Sequence, residues 1–191
     1  AEILSQMETA EVLAISEALE TDDLADMMQQ LPETVMHELL RSMDHQNRER
    51  VEKVLSYPED TAGGLMNTDT ITIRPDITVE AALRYLRRHD ELPEMTDSLF
   101  VVSRKGSYIG SLPLTRMLVS DPSSTVREMM VTDKPPIAAN MEDTKVAQLF
   151  EQEDLVSAPV VDEKNQLLGR ITIDDVVDVI REDADHSLMS M

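Results

Sequence analysis

The middle and end of this 191-residue chain carry one sequence written twice, and that duplication restricts the fold more than any other feature. Asp76-Ile77-Thr78-Val79-Glu80-Ala81-Ala82-Leu83 returns in pattern as Glu142-Asp143-Thr144-Lys145-Val146-Ala147-Gln148-Leu149. Leu99-Phe100-Val101-Val102 returns as Ala158-Pro159-Val160-Val161, and Tyr108-Ile109-Gly110-Ser111-Leu112 as Leu167-Leu168-Gly169-Arg170-Ile171. The offset is 66 between Thr78 and Thr144 but 59 between Val102 and Val161, so the first copy carries about seven extra residues, expected in the loop 89–97. Each copy reads as strand, helix, strand, turn, strand, helix. Arg104-Lys105-Gly106-Ser107 and Asp162-Glu163-Lys164-Asn165 supply the turns.

The second copy closes in the stretch 169–185, a strand running straight into a helix. At about 100° per residue, Ile173, Val176, Val177, Ile180 and Ala184 share one side, a stripe suited to burial. Asp174, Asp178, Glu182 and Asp185 share the other. Carboxylates at i,i+4 repel by roughly 0.2–0.5 kcal/mol per pair. The positive end of the helix dipole offsets this for Asp174 and Asp175, whereas Glu182 and Asp185 lie toward the negative end. Such a face calls for counter-charge; a solvated acidic surface is the plain alternative.

Residues 1–57 read as a stack of short helices. Thr21 can cap a helix with Leu24, Met27, Met28 and Leu31 on one face, and Pro32 suits the first turn of the next, which buries Val35, Met36, Leu39, Leu40 and Met43. Asp44 can cap a third helix carrying Val51, Val54 and Leu55. Asp22 and Asp26 are again i,i+4 carboxylates; capping accounts for Asp22 but not for Asp26. Residues 58–66 break the helical pattern at Ala62-Gly63-Gly64-Leu65-Met66 and read as a linker. The expected class is α+β: a helical domain (1–57), the linker, and two repeats, 67–128 and 129–185.

Charge narrows the function. The formal net charge is −21, with 13 acids against 4 bases in residues 1–56, 11 against 8 in 57–128, and 14 against 5 in 129–191. Two acidic segments thus flank a nearly balanced one, a pattern that excludes nucleic-acid binding and argues against docking on anionic lipid. Repulsion holds the acidic segments apart until cations intervene. The chain lacks Cys, which removes disulfides and thiolate metal sites. It shows no apolar run near the ~20 residues of a membrane span and no signal peptide. Its abrupt start in a helical pattern is expected of a piece of a longer protein. No nucleophile motif, P-loop or dinucleotide fingerprint is present, and no catalytic residue is assigned.

The repeat resembles the cystathionine-β-synthase (CBS) domain, which works as a tandem pair, through Ala158-Pro159-Val160-Val161-Asp162 followed by Leu168-Gly169-Arg170-Ile171-Thr172. The Ala62–Met66 motif leading into such a pair, preceded by Asp22-Asp23-Leu24-Ala25-Asp26, resembles the cytosolic part of the MgtE family of bacterial magnesium channels. The resemblance implies a Mg²⁺-sensing module on the cytoplasmic side of the bacterial inner membrane. It implies a homodimer through the CBS domains, below a transmembrane pore domain of the same full-length chain that residues 186–191 would begin to approach. Ions between acidic surfaces would then favour a closed pore. Position by position it implies Asp22, Asp26, the Gly64 carbonyl and Asp175 around one junction, and Asp154 and Asp178 among the CBS domains; Asp174 joins them on the acidic helix. Thr144 and His186 stand where the family has acids.

Magnesium takes oxygen ligands, keeps several waters and needs one or two carboxylates per site, which suits scattered acids on separate segments. The alternative ligand is ATP or another adenine nucleotide, since CBS pairs use a Gly-x-x-Thr-x-x-Asp segment to hold ribose hydroxyls. The second copy keeps it as Gly169, Thr172 and Asp175, while the first has Pro113 and Arg116 at the corresponding places. Thr172 reads equally as a helix N-cap, and Asp175 cannot serve a ribose and an interdomain ion at once. A purely structural dimerisation module is the third reading, and it leaves the charge asymmetry unexplained.

Overall fold

The computed structural model describes residues 25–26, 28–42 and 45–189. Thr21, Asp22, Leu24, Met27, Met43 and Asp44 lie outside the described residues. In the helical part, α1 (Glu33–Ser42) and α2 (His45–Leu55) follow a helical turn containing Ala25, Asp26, Met28 and Gln29. Helical spacing brings Met28, Leu31, Leu39, Leu40 and Val51 into one buried cluster, with Val35 and Met36 at its margin. Ala25 and Val54 point the other way, into the core of the second repeat. The helical part is therefore docked on that repeat through its own side chains.

The segment expected as a linker is instead built into the second repeat. It forms α3 (Ala62–Leu65), whose Ala62 and Gly63 N–H groups donate to the Met141 and Ala139 carbonyls, both at 2.8 Å. Those bonds satisfy donors that a helix start leaves open. Ala62 and Met66 are fully buried in the same core as Val146, Phe150 and Val160. Both glycines are demanded by close approach: a Cβ on Gly63 would enter the Tyr57 ring, and one on Gly64 would strike the Pro58 and Glu59 backbone. The physical cost of opening a four-residue helix sealed on both sides argues against a free hinge there.

The first repeat comprises β1 (Thr72–Ile73), α4 (Val79–Leu86), β2 (Ser98–Val102), β3 (Tyr108–Pro113) and α5 (Leu114–Val119). After α6 (Val126–Met129) the second repeat comprises β4 (Ile137–Ala138), α7 (Asp143–Glu153), β5 (Ser157–Val161), β6 (Leu167–Thr172) and α8 (Ile173–Met189). The sheets have the orders β1-β2-β3 and β4-β5-β6, each with a parallel first pair and an antiparallel second pair. Both break register at the same place, Val101/Val102 and Val160/Val161. Ser107 bridges Gln166, its own counterpart, so an approximate twofold passes between the sheets.

Each repeat borrows its leading segment from the other side of this axis. Asn67 bridges Arg170 of β6, and Val131 bridges Ser111 of β3. Likewise α6 donates from Val126 and Arg127 to the Ile77 and Pro75 carbonyls, as α3 does to Met141 and Ala139. This equivalence corrects the sequence register. Thr78 caps α4 by accepting from Ala81 N at 3.1 Å, but its counterpart is the N-cap Glu142, not Thr144, so the offset there is 64 and the first copy is longer by about five residues. The extra length does lie in the loop 87–97 between α4 and β2.

On α8 the buried stripe is narrower than expected. Val176 and Val179 enter the core with Ile173 packed beside them, whereas Ile180 is 44% exposed and Ala184 is also exposed. From Ile180 to Asp185 the residues of the helix are exposed.

Candidate functional site

Strand β6 passes directly into α8, where Ile173 N donates to Val156 O at 2.8 Å. That turn sets Asp174 and Asp175 in the first helical turn, where open N–H groups favour carboxylates. Thr172, only 2% exposed, ends the strand; its hydroxyl reaches Asp174 Oδ1 and stands 3.1 Å from Asp175 Oδ2. Asn67 Nδ2 approaches the same Asp175 oxygen at 3.4 Å from the opposite side.

Between α8 and the helical part lies a cavity of about 310 Å³ whose walls include Asp26, Gly64, Asp143, Asp175, Asp178, Glu182 and Asp185, with Arg181 as the one basic residue among the described residues that line it. Of the acids singled out from sequence, the structure therefore brings together Asp26, Asp175 and Asp178, along with Gly64. Asp22 lies outside the described residues. Asp174 is exposed and is not part of the cavity wall. Asp154 is elsewhere: it ends α7 in the left-handed conformation, φ 51°, with its N–H on Phe150 O, a backbone role that Asp tolerates better than most residues.

Sequence reasoning missed Asp143, the first residue of α7. Its carboxyl is raised above the ordinary 3.8, first by burial and then by Asp60, Asp183 and Glu142, against a lowering hydrogen bond from Thr144 N. In sequence it reads as a helix-start acid with a local explanation, so only the docking of α7 beside α8 shows that it faces other carboxylates. Asn67 carried no sequence signal at all.

Among the described residues no three acids or imidazoles stand close enough to form a ready-made metal cage. The donor set is carboxylate and carbonyl oxygen only, spread over a helix, a glycine turn and the start of another helix. That set fits a hard cation that keeps its waters, and does not fit zinc.

The ribose-type segment has a different setting. Gly169 is needed because a Cβ there would strike the Asn67 carbonyl, and Gly110 lies in the same way under Val131. Arg170, 4% exposed, fills the space beside β6 and donates to the carbonyls of Glu94 and Met95, at 2.5 and 3.2 Å, from within the extra loop. On the other side of the twofold a cavity of about 170 Å³ stays open, lined by Phe100, Tyr108, Ser111, Lys134, Ser157 and Pro159 among others. The open cleft thus belongs to the half whose motif carries Pro113 and Arg116.

Residues 1–60 match the MgtE intracellular N domain, and residues 62–120 and 126–182 match the CBS domain. The chain is 35% identical over 170 residues to the magnesium transporter MgtE of Thermus thermophilus, covering 87% of this chain and 38% of the relative. It is 30% identical over 168 residues to MgtE of Bacillus subtilis, covering 88% and 37%. The crystal structure of the cytosolic domain of the Mg²⁺ channel MgtE in complex with ATP superposes with a TM-score of 0.83 at 34% identity, over 93% of this chain and 78% of that one. The soluble part of a magnesium transporter gives 0.89 at 23% identity, over 96% and 72%, a likeness of fold. This chain spans less than two-fifths of the length of those transporters, and none of its described helices is long and apolar enough to cross a membrane. Two CBS repeats over more than half of its length show that the chain belongs to the CBS-domain family, and its MgtE-type N domain and these identities make it a homologue of the MgtE magnesium transporters that structurally matches the cytosolic domain of one of them.

Proposed function

We propose that this chain is a Mg²⁺-sensing regulatory module, held on the cytoplasmic side of the bacterial inner membrane as part of a longer chain that carries the pore. The observation that carries the reading is the junction cavity, where Asp26 of the helical part faces Asp175 and Asp178 of α8 across Gly64. Carboxylates converging from separate elements repel at low ionic charge and attract a divalent ion. A bound magnesium ion supplies positive charge and oriented waters; Asp26, Asp175, Asp178 and the Gly64 backbone would hold it. The chain's own part is to present these oxygens from two bodies, so that binding draws the helical part onto α8 and chelation loosens it. Dimerisation through the CBS helices fits the exposed apolar end of α5, where Val119 is 86% exposed and Leu118 71%, and Ile180 on α8.

Small-angle scattering of the 191-residue chain with millimolar Mg²⁺ and with chelator tests this. A smaller radius of gyration with the ion, a response blunted in Asp175→Asn, and a mass twice the 21.5 kDa of one chain are expected. Superimposable profiles in the two conditions would sink the reading.

A second ligand, an adenine nucleotide, is favoured by the ATP complex of the structural relative and by the open cavity beside Tyr108. The open cavity supports placing this ligand in the cleft between the sheets as an alternative to Gly169, Thr172 and Asp175. Calorimetry with ATP should then show binding weakened by Tyr108→Ala and spared by Thr172→Ala; the reverse pattern would return the site to the second-copy motif.

A further inference from the structure

We infer that Asn67 is a positioning residue that sets the Asp175 carboxylate at the junction, an assignment that rests on the magnesium reading above. Asn67 is 1% exposed, and its backbone exchanges two hydrogen bonds with Arg170, N to O at 2.7 Å and O to N at 2.8 Å. The approximate twofold supplies an internal control. Val131 makes the same two bonds to Ser111, at 2.7 and 3.0 Å, with an apolar side chain. The crossing of the two segments therefore does not require an amide. Burying one where valine serves equally costs about 1–3 kcal/mol unless a partner compensates.

The partner sits where the two halves differ. The counterparts of Thr172 and Asp175 at the 59-residue offset are Pro113 and Arg116, so the half that has Val131 has no carboxylate to orient. On the acidic half, Asn67 Nδ2 and Thr172 Oγ1 both point at Asp175 Oδ2, at 3.4 and 3.1 Å. The Thr172 hydroxyl has a single proton that Asp174 Oδ1 also draws on, so the Asn67 amide is the donor that holds the rotation of the Asp175 carboxylate without that competition. Asn67 also lies three residues after Gly64, so a single short segment frames the cavity at one end and orients its acid at the other. This is the role that partners outside the ligand shell play at metal sites, where their loss commonly costs about 10- to 100-fold in affinity.

The test uses Asn67→Val, the residue the other half already carries at this crossing, with Asn67→Ser as a second variant should the first fold poorly. Both should raise the Mg²⁺ midpoint for compaction by about tenfold, and the increment should vanish in an Asp175→Asn background, where there is no carboxylate left to orient. In magnesium-free protein, the Asn67 side-chain amide resonances should move on Asp175→Ala. A midpoint unchanged in both variants, or an equal increment in the Asp175→Asn background, overturns the assignment. If the wild-type chain shows no magnesium response, the functional reading fails and the amide resonances alone decide this one: moved supports it, unmoved refutes it.

Discussion

Asp143 shows how an ordinary residue becomes part of a site. Burial is the first cause of its raised carboxyl, and Asp60, Asp183 and Glu142 add to it. The folded chain therefore holds the Asp143 proton to higher pH than the unfolded chain does. Its contribution to stability is complete below the ordinary value of 3.8 and is lost as pH rises through the folded value. Asp143→Asn should flatten that part of the pH dependence of melting, just above the ordinary carboxylate value, and, at neutral pH without magnesium, stabilise by the roughly 0.2–0.5 kcal/mol typical of relieved carboxylate repulsion. Identical pH dependence in variant and wild type would remove Asp143 from the strained acidic set. Asp178 was legible from its place on an acidic helix face, and Asp175 through the family resemblance. Asp143 and Asn67 were not, because one had a sufficient local explanation and the other became meaningful only when a strand crossing placed it against a helix start.

At the scale of elements, the two halves share one design and differ in what fills them. Arg170 joins the sheet of the second repeat to the extra loop of the first by donating to the Glu94 and Met95 carbonyls, and its Nε lies 3.6 Å from Asp69 Oδ1. Its counterpart Ser111 is too short to do this, and there the cleft stays open. Met95 adopts φ 55°, so the loop is held in a conformation a non-glycine residue adopts at some cost. Arg170→Met keeps most of the buried stem but leaves Asp69 without its ion-pair partner and the two carbonyls without their donor. Denaturant unfolding should show a loss of about 3 kcal/mol, with new protease cleavage inside 87–97. A variant as stable and as resistant as the wild type would show that the loop is held by its own turns. The α3 segment teaches a related lesson. Its Gly-Gly pair reads as a break, yet both glycines are there because backbone and ring pack where a Cβ would sit. Composition alone cannot distinguish a glycine that loosens a chain from one that lets it pack tightly.

For the whole molecule, the net charge of −21 sets the terms on which its parts can meet. Monovalent salt near physiological strength already shortens the screening length to about 8 Å. If screening alone drew the acidic faces together, added sodium chloride would reproduce the effect of magnesium at matched ionic strength. A bridge between carboxylates requires divalent charge at short range, so the scattering change should follow Mg²⁺ and not sodium. The duplicated strand–helix pattern, the helical layer ahead of it and the acidic face of α8 were all present in the order of residue types, because periodicity and charge are local properties of a chain. Three matters were decided only by the fold. The supposed linker is buried in the second repeat, the open cleft lies in the half with the altered motif, and a buried amide stands against Asp175. Each depends on segments more than sixty residues apart being brought into van der Waals contact, where the volume of a side chain or the reach of one donor settles the outcome, and no local pattern encodes that distance.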